Sequence, residues 1–561
     1  MSSQQLPITT AGTAPEQFAD HLFFAKNRKA AAVILALFML IGFDLRINQL
    51  GTESLGEDEL NKLETVAEYR QNGLSGKNGE HPFLMKGLQT LSISAAEKFN
   101  TISVNPISEE AALRFPIALF GTFSALLIFL LVSELFGRSI GLVSAIFWTL
   151  EPMAIGFDRI AKEDSLVLFF FLLTMFFWVR GQTRAEQGSP SWTWYAWAAA
   201  ASFAGLMASK YYPHLLAIVG GYYIIFQYIT ATKWRMEPKR WLKFMLVMGF
   251  TFLILNPTIL LPETWREMLK FSSENRIGHD SYEFWGNLYT NKMSAWLNGV
   301  PWTFYYVFMA VKTSLPVLVL FLIGLPLVFR RKLGDGRFLL FFWAFMWFLP
   351  FTFLGGKFTR YFTFVEPLML IVAAIGFCYA VKWLSEKAFG SPQLAGLTQA
   401  VLLISVVATQ LTNSLAFAPH YRLFTNTIGG ETAAAGSYFP HDEFYDAASL
   451  EIVRSLAATA RPNAIVACET PTLFEHYAKR TGRADLNFVS LSDKSKVLAL
   501  SEDDFVVLAE GRRYFSNSPY IIFLNNSSAQ PVEIRLNGIR AARIYKLDAA
   551  QTASLHVLAR Q

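Results

Sequence analysis

Three consecutive acidic residues, Glu57-Asp58-Glu59, follow the first membrane-length apolar run of this chain. Leu60 and Leu63 come next at helical spacing, which predicts a short helix that begins at the acidic run. The helix dipole favours negative charge in a first turn, so the carboxylates fit a helix N-terminus. A carboxylate at the edge of a membrane can also act as a general base towards a hydroxyl group. These residues alone leave both interpretations open.

The composition indicates a polytopic membrane protein. Of the 561 residues, 53% are hydrophobic and only 16% are charged, whereas soluble proteins carry about 25% charged residues. The net charge of +6 comes from basic residues clustered beside apolar runs. Such clusters orient membrane spans, so we predict a lipid-bilayer partner and no nucleic acid. Cys378 and Cys468 are too far apart in sequence to indicate a disulfide framework.

Hydropathy predicts a mainly α-helical membrane domain at 30–417, with about eleven transmembrane helices. The predicted spans are 30–48, 112–135, 139–157, 164–180, 192–209, 212–230, 241–261, 313–329, 338–354, 361–381 and 395–415. Residues 1–29 form a cytoplasmic tail before an uncleaved first span, and every loop assigned to the inside carries Lys or Arg. This topology places the residues after 417 on the outer side.

The outer side carries the ionisable residues that need explanation. Its long connections are 51–111, with amphipathic helices lying on the membrane, and 262–312. Its short loops contain Asp158, Arg159, Lys162, Glu163 and Asp164, then Lys210, and then Lys357 and Arg360. Ionisable residues at membrane depth are costly and are mostly functional. A lipid or polysaccharide transporter would place them near the midplane on broken helices, so one-sided chemistry is favoured. A transporter and a non-catalytic assembly protein remain the alternatives from other classes.

Residues 418–561 have the composition of a small extracytoplasmic α/β domain. Apolar runs at 464–468, 505–508, 520–524 and 532–536 predict strands, and the patterns at 443–459 and 471–482 predict helices. This segment contains no glycine-rich phosphate loop. We therefore predict no nucleotide site in it.

A series of short motifs follows the outer face in chain order. They are Gly56-Glu57-Asp58-Glu59, Glu80-His81-Pro82-Phe83-Leu84-Met85-Lys86, Leu113-Arg114-Phe115-Pro116, Asp158-Arg159-Ile160-Ala161-Lys162-Glu163-Asp164-Ser165, Ala208-Ser209-Lys210 and Lys357-Phe358-Thr359-Arg360-Tyr361. Their order over roughly 30–415 resembles the polytopic GT-C glycosyltransferases, specifically the protein O-mannosyltransferases (glycosyltransferase family 39) and the bacterial lipid A aminoarabinose transferases. The family often has His-Pro-Pro where this chain has His81-Pro82-Phe83.

The resemblance implies an enzyme of the inner membrane whose active site faces the periplasm or another extracytoplasmic space. Such enzymes transfer a sugar from a polyprenyl-phosphate carrier to a hydroxyl group. Our first choice is a mannosyltransferase acting on protein Ser or Thr, with inversion at the anomeric carbon. The alternative acceptor is lipid A or another envelope glycolipid. The implied partners are therefore the polyprenyl-phosphate-linked sugar, a protein or glycolipid acceptor and the bilayer.

The resemblance also implies a role for individual residues. Asp58 would be the general base, with Glu59 beside it in the catalytic set. Lys210 and Arg360, together with Lys86, would bind the carrier phosphate. Asp164, or else Asp158, would contact the sugar or orient a cation. The further candidates for substrate contacts are His81, Arg114, Arg159, His279 and Tyr361. Partial burial and the neighbouring carboxylates should raise the pKa of Asp58, which would help a base.

Several of these residues also have structural explanations. Lys210 could reach from between two spans to the interface, Asp164 could cap a helix, and Arg114 could pair with a carboxylate that holds the outer helices. His81 could order its loop by a hydrogen bond. We see no cage of carboxylates for a metal, so we predict no metal ligands and no cofactor besides the donor, and leave dependence on a divalent metal open.

Overall fold

The computed structural model describes residues 22–228, 235–273, 279–388, 392–528 and 530–561. Most of the predicted cytoplasmic tail, residues 1–21, lies outside these ranges, as does 274–278 of the second long outer connection. Within the described ranges, each predicted membrane span contains helix. The chain is therefore mainly helical.

Five helices are long and apolar enough to cross a membrane: Arg28–Ile47, Glu109–Phe136, Asp164–Glu186, Glu366–Ser385 and Gly396–Phe417. Helices Arg138–Leu150 and Pro152–Asp158 make a sixth span if they count as one, and they bend by 63° at their break. The other predicted spans hold Trp192–Ser209, Leu216–Tyr228, Pro238–Leu255, Leu315–Val328, Arg337–Trp343, a π-helical turn at Ala344–Phe348, and Leu349–Phe353. The described residues thus form a multi-pass membrane protein. About eleven spans were expected, but only five or six helices among these residues are long and apolar enough to meet the criteria.

Two glycines bring the helices Leu315–Val328 and Glu366–Ala388 into direct contact. A Cβ atom on Gly324 would lie 1.9 Å from the Val372 carbonyl oxygen, and one on Gly376 would lie 2.0 Å from the Leu320 carbonyl oxygen. Small residues permit such close backbone approach between membrane helices. This contact matters for function because the second helix follows directly after Thr359–Phe364, the 3₁₀ turn that carries Arg360.

The first outer connection folds into helices Glu57–Asn72 and Phe83–Asn100. Leu60 and Leu63 are buried, as their helical spacing predicts. Lys62 is buried too, and its ammonium group pairs with Glu163 at 3.1 Å. In the second helix the protein side consists of Met85, Lys86, Gln89, Ile93 and Ala96. Leu91 on the same helix stays 70% exposed, which leaves this side chain free to contact lipid.

The second outer connection begins with helix Pro262–Ser273 and ends with helix Phe304–Lys312. Between them, strands β1 (Ser281–Phe284) and β2 (Asn287–Thr290) form an antiparallel hairpin, followed by the 3₁₀ helix Met293–Asn298.

Beyond residue 417 the chain forms a five-stranded mixed sheet. Its strands are β3 (Ile465–Cys468), β4 (Asn487–Ser490), β5 (Phe505–Ala509), β6 (Val532–Leu536) and β7 (Ile539–Lys546), in the order β4-β3-β5-β7-β6. Strands β3, β4 and β5 are parallel, and β7 runs antiparallel to β5 and β6. The accompanying helices are Pro440–Phe444, Ser449–Thr459, Pro471–Arg480, Lys494–Val497, Ser518–Asn525 and Ala549–Arg560.

The prediction of a strand at 520–524 is wrong. Pro519 stands in the first turn of helix Ser518–Asn525, a position that suits proline. Tyr520, Ile521 and Leu524 are buried while Ile522 is 51% exposed. This spacing has the period of a helix, which a run of only five apolar residues does not distinguish from a strand.

The outer helices and the residues after 417 share one hydrophobic core. Leu55, Leu60 and Val66 pack in the same cluster as Ile452 and Tyr477. A buried ion pair strengthens this junction, because Glu53 lies 2.9 Å from both His420 and Arg422. The acidic run Glu57-Asp58-Glu59 is therefore held from both sides.

Candidate active site

The predicted outer-face residues meet at one cavity of about 420 Å³. Its wall includes Asp58, Asp164, Lys210, Arg360 and Tyr361 from the membrane domain. Tyr445, Asp446 and Arg512, all beyond residue 417, complete the same wall. The sequence prediction that Asp58, Lys210 and Arg360 converge is thus met by the geometry.

Asp58 lies in the first turn of helix Glu57–Asn72, whose N-cap is Gly56. A Cβ atom on Gly56 would lie 2.4 Å from the Tyr445 ring, so the chain can approach that ring closely only with glycine. Asp58 forms an ion pair with Lys162, and 43% of its side chain is exposed. The acidic run thereby presents Asp58, together with Glu57, to the cavity.

The expectation of a raised pKa for Asp58 is wrong. Burial by itself would raise this pKa, but Lys162, Arg360 and Lys62 hold it well below its usual range. The neighbouring carboxylate Glu59 adds little repulsion, because Arg114 neutralises it. Asp58 is consequently ionised across the physiological pH range.

Glu59 points away from the cavity and is fully buried. Arg114 donates to both of its carboxylate oxygens, at 2.8 and 2.6 Å. The backbone N–H groups of Gly56 and Ala161 donate to the same carboxylate, at 2.8 and 2.6 Å. Arg114 also donates to the carbonyl oxygens of residues 50, 53 and 54. This geometry suits structural roles for both Glu59 and Arg114, because their ion pair joins the acidic run to the helix Glu109–Phe136. It agrees with the structural explanation of Arg114, in which this residue pairs with a carboxylate that holds the outer helices.

The segment 158–164, a break between two helices, ties several parts of the site together. Asp158 pairs with Arg46 at 2.8 Å, fully buried. Arg159 donates to the carbonyl oxygens of Leu45, Arg46, Asn48 and Gln49, and so satisfies the end of the first long helix. Neither side chain lines the cavity, which leaves Asp164 as the acidic candidate there.

Asp164 pairs with Lys210 at 3.0 Å, so the cation that it orients is Lys210. Lys210 follows the helix Trp192–Ser209 and lies 5.1 Å from the ring centre of Tyr212 and 5.3 Å from that of Tyr361. Burial opposes its charge, but Asp164 and the tyrosines raise the pKa of Lys210 well above its usual value. Lys210 is a firmly charged cation among aromatic rings.

Arg360 also contacts the Tyr361 ring, at 5.7 Å from its centre, and its guanidinium lies 4.0 Å from the Phe358 ring centre. It lies 3.4 Å from Asp442. Asp442 is further fixed by the Tyr282 hydroxyl and the Thr359 N–H, each at 2.7 Å. Stacking and a carboxylate partner therefore fix the orientation of the guanidinium fork, which suits an anionic oxygen pair.

Lys86 and His81 have different positions. Lys86 is buried and donates to the carbonyl oxygens of Asn78 and His81, at 2.7 and 2.9 Å, away from the cavity wall. His81 lines the cavity, 3.5 Å from Glu163. Burial lowers the pKa of His81 to about 3, although Glu163 favours its charged form. His81 is therefore a neutral wall residue, and Lys86 orders the loop before it.

The residues after 417 contribute a cluster that the sequence did not reveal. Arg512 donates to Asp446 at 2.7 Å and to Glu57 at 3.1 Å. His279 lies 2.9 Å from Arg512 and stacks on Tyr514 with ring centres 4.0 Å apart. The predicted contact residue His279 thus reaches the cavity together with a guanidinium from the C-terminal part.

Among the described residues, no group of three or more His, Cys, Asp or Glu side chains is arranged to hold a metal ion. The arrangement instead combines the accessible carboxylates of Glu57 and Asp58 with firmly charged cations and aromatic faces. A carboxylate can accept a proton from a hydroxyl group, and Lys and Arg can hold a phosphate. The cavity can therefore support displacement of a phosphate by a hydroxyl nucleophile.

Comparison with known proteins agrees with this chemistry. Residues 104–260 match the family model described as dolichyl-phosphate-mannose-protein mannosyltransferase. That segment carries Lys162, Asp164 and Lys210. No curated protein sequence is similar enough to count as a match.

A solved structure with a TM-score above 0.5 shares the fold of this chain. The apo oligosaccharyltransferase of Archaeoglobus fulgidus aligns with a TM-score of 0.52 and 10% identity, covering 86% of this chain and 70% of that chain. ArnT from Cupriavidus metallidurans, bound to undecaprenyl phosphate, aligns with a TM-score of 0.46 and 14% identity over 93% of this chain and 98% of that one. The family match and the shared fold confirm the resemblance to GT-C glycosyltransferases.

Proposed function

We propose that this chain, a GT-C glycosyltransferase, transfers mannose from a polyprenyl-phosphate carrier to Ser or Thr hydroxyl groups of proteins on the extracytoplasmic face. The observation that carries the proposal is the single cavity shared by Asp58, Lys210 and Arg360. The match of residues 104–260 to a mannosyltransferase family supports the choice of mannose and of a protein acceptor. The Lys and Arg residues in the inner loops support the outward orientation.

In the proposed reaction the acceptor hydroxyl donates its hydrogen bond to the Asp58 carboxylate. Its oxygen forms a bond to the anomeric carbon as the bond from that carbon to the phosphate oxygen breaks. The proton passes to Asp58, and the carrier leaves as a phosphate monoester. One in-line displacement of this kind inverts the anomeric centre.

Lys210 and Arg360 stabilise the leaving phosphate, on which negative charge increases during the displacement. The fixed guanidinium of Arg360 suits two phosphate oxygens, whereas Lys210 supplies a point charge. The Tyr361 ring contacts both cations, with Lys210 5.3 Å and Arg360 5.7 Å from its centre. The low pKa of Asp58 makes it a modest base, but it is ionised at physiological pH, and the phosphate is already a good leaving group.

The proposal is tested by a transfer assay with purified enzyme in proteoliposomes. The donor is labelled polyprenyl-phosphate mannose, and the acceptors are a Ser/Thr-rich peptide and an envelope glycolipid presented in parallel. We expect label in the peptide, lost in Asp58→Asn and retained in Lys77→Ala, whose exposed ion pair with Glu64 lies outside the cavity. Label in the glycolipid alone would refute the protein acceptor. Absence of transfer from this donor to either acceptor would refute the proposed mannosyltransferase.

A further inference from the structure

The basic residues around the cavity have carboxylate partners of unequal burial. Glu163, the partner of Lys62, is 2% exposed, Asp164 opposite Lys210 is 10% exposed, and Asp442 opposite Arg360 is 4% exposed. Two carboxylates differ: 43% of the Asp58 side chain is exposed opposite Lys162, and 47% of the Glu57 side chain is exposed opposite Arg512. The pair between Asp58 and Lys162 is thus accessible to an incoming molecule, and of these two pairs it is the one that involves the proposed base.

This pair conflicts with the role of Asp58. A carboxylate that accepts from an ammonium group is not free to accept the hydrogen of an acceptor hydroxyl in the same direction. Asp58 is therefore a stronger acceptor for the hydroxyl hydrogen once Lys162 has moved away or is screened. Lys162 lines the same cavity as Lys210 and Arg360, so an anion bound there offers it a second partner.

The local structure permits such a movement. Lys162 lies in the break between helices Pro152–Asp158 and Asp164–Glu186. Its backbone is anchored, since Ala161 N–H donates to Glu59 and Lys162 N–H donates to the Ile160 carbonyl oxygen. The flexible lysine stem can then change direction while the main chain stays in place.

We propose that Lys162 is a positioning residue that holds Asp58 in the empty enzyme and turns to the carrier phosphate when the donor binds. Donor binding then frees the base, so that the acceptor hydroxyl is activated only when a sugar is present to receive it. This inference rests on the proposed function. It adds Lys162 to a site in which the sequence had assigned no role to this residue.

The first test measures binding of sugar-free polyprenyl phosphate to enzyme in nanodiscs, which requires no transfer. Asp58→Asn leaves Lys162 without a competing carboxylate and should bind the phosphate about fivefold more tightly than wild type, a change that corresponds to one exposed ion pair. In the double variant Asp58→Asn/Lys162→Gln this gain should disappear. Equal or weaker binding by Asp58→Asn would overturn the inference. A gain that persists without Lys162 would do the same, because it would then be a simple charge effect.

The second test compares the pH profiles of kcat and of kcat/KM for the donor. The profile of kcat/KM reports the pKa values of the free enzyme, and the profile of kcat reports those of the enzyme with the donor bound. In wild type the acid limb of kcat should lie at higher pH than that of kcat/KM, because Asp58 loses its cation once the donor is bound. In Lys162→Gln the limb of kcat/KM should move up towards that of kcat, and Lys162→Arg should restore the separation. Coincident limbs in wild type would refute the role of Lys162 while leaving the transfer reaction intact. Loss of all transfer in wild type would instead refute the proposed function.

Discussion

Adjacent carboxylates on one helical turn should respond to substitution in opposite ways. Glu59→Gln removes the charge of a fully buried carboxylate, whereas Asp58→Asn removes the charge of a carboxylate that faces the cavity. Both substitutions keep side-chain size and differ from wild type by one charge. They therefore separate a structural carboxylate from a catalytic one.

The magnitude for Glu59→Gln follows from its contacts. Arg114 is 1% exposed and would keep its charge with no carboxylate directly opposite. Removing one partner of a buried ion pair costs about 3–5 kcal/mol of folding free energy. Arg114 retains the carbonyl oxygens of residues 50, 53 and 54, so we expect the lower end of that range. The variant should unfold at lower temperature, while the correctly folded fraction keeps a near-normal kcat.

Asp58→Asn should instead lower the rate of transfer and leave the thermal stability nearly unchanged. Loss of a general base lowers the rate by roughly 10²–10⁴-fold, whereas an ion pair with an exposed partner contributes only about 0–1 kcal/mol to stability. The kcat for mannose transfer and the thermal unfolding of purified protein in detergent should be measured for both variants, with Lys77→Ala as control. If Glu59→Gln unfolds like wild type but loses transfer, or if Asp58→Asn keeps transfer, the assignment of roles is wrong.

Other substitutions test the rest of the site. Lys210→Ala and Arg360→Ala should each raise the KM for the lipid donor about tenfold or more, as expected for loss of a charged hydrogen bond. The KM for the acceptor should change little. Equal changes in both KM values would refute the role of these residues in binding the carrier phosphate. Burial disfavours the charge of Glu53, but Arg422 and His420 hold its pKa below its ordinary value. The ion pairs of Glu53 therefore stabilise the fold above about pH 4.3, the ordinary pKa of a glutamate. This contribution is lost as the pH falls through the lower pKa that Glu53 has in the folded protein. Glu53→Gln should flatten this acid dependence in thermal unfolding, and an unchanged slope would count against it. Arg512→Ala should lower kcat by loosening Glu57 beside the base, with Arg512→Lys restoring it only in part; full activity in Arg512→Ala would remove the C-terminal part from the site.

The sequence was sufficient for the helices of the predicted membrane spans and for the convergence at the cavity, but not for the helix Ser518–Asn525. Long apolar runs and clusters of basic residues predict which loops share a side of the membrane, and so predict that Asp58, Lys210 and Arg360 lie on the same side. The distinction between Asp58 and Glu59 was not accessible in this way. It depends on Arg114, which is 55 residues away from Glu59 in sequence, and on which direction a single helical turn faces.

Long-range partners also explain the other differences. Lys62 is buried because Glu163, far along the chain, faces it. The pKa of Asp58 falls because Lys162 and Arg360 meet it in space. Arg512 lies in a segment whose sequence carries no motif, yet it reaches Glu57. Local patterns predict elements, whereas the electrostatics of a buried site depend on tertiary contacts.

The counter-ions of the basic groups along the cavity wall are carboxylate side chains of the same chain. An open basic groove attracts its ligand in competition with dissolved ions, and its affinity falls as ionic strength rises. Here the carboxylates of Asp58, Asp164 and Asp442 already occupy the positions that dissolved anions would take. Recognition of an anionic lipid headgroup then becomes an exchange of partners inside the protein, in which the surrounding electrolyte has little part. An enzyme facing a compartment whose salinity the cell does not control would retain its selectivity there.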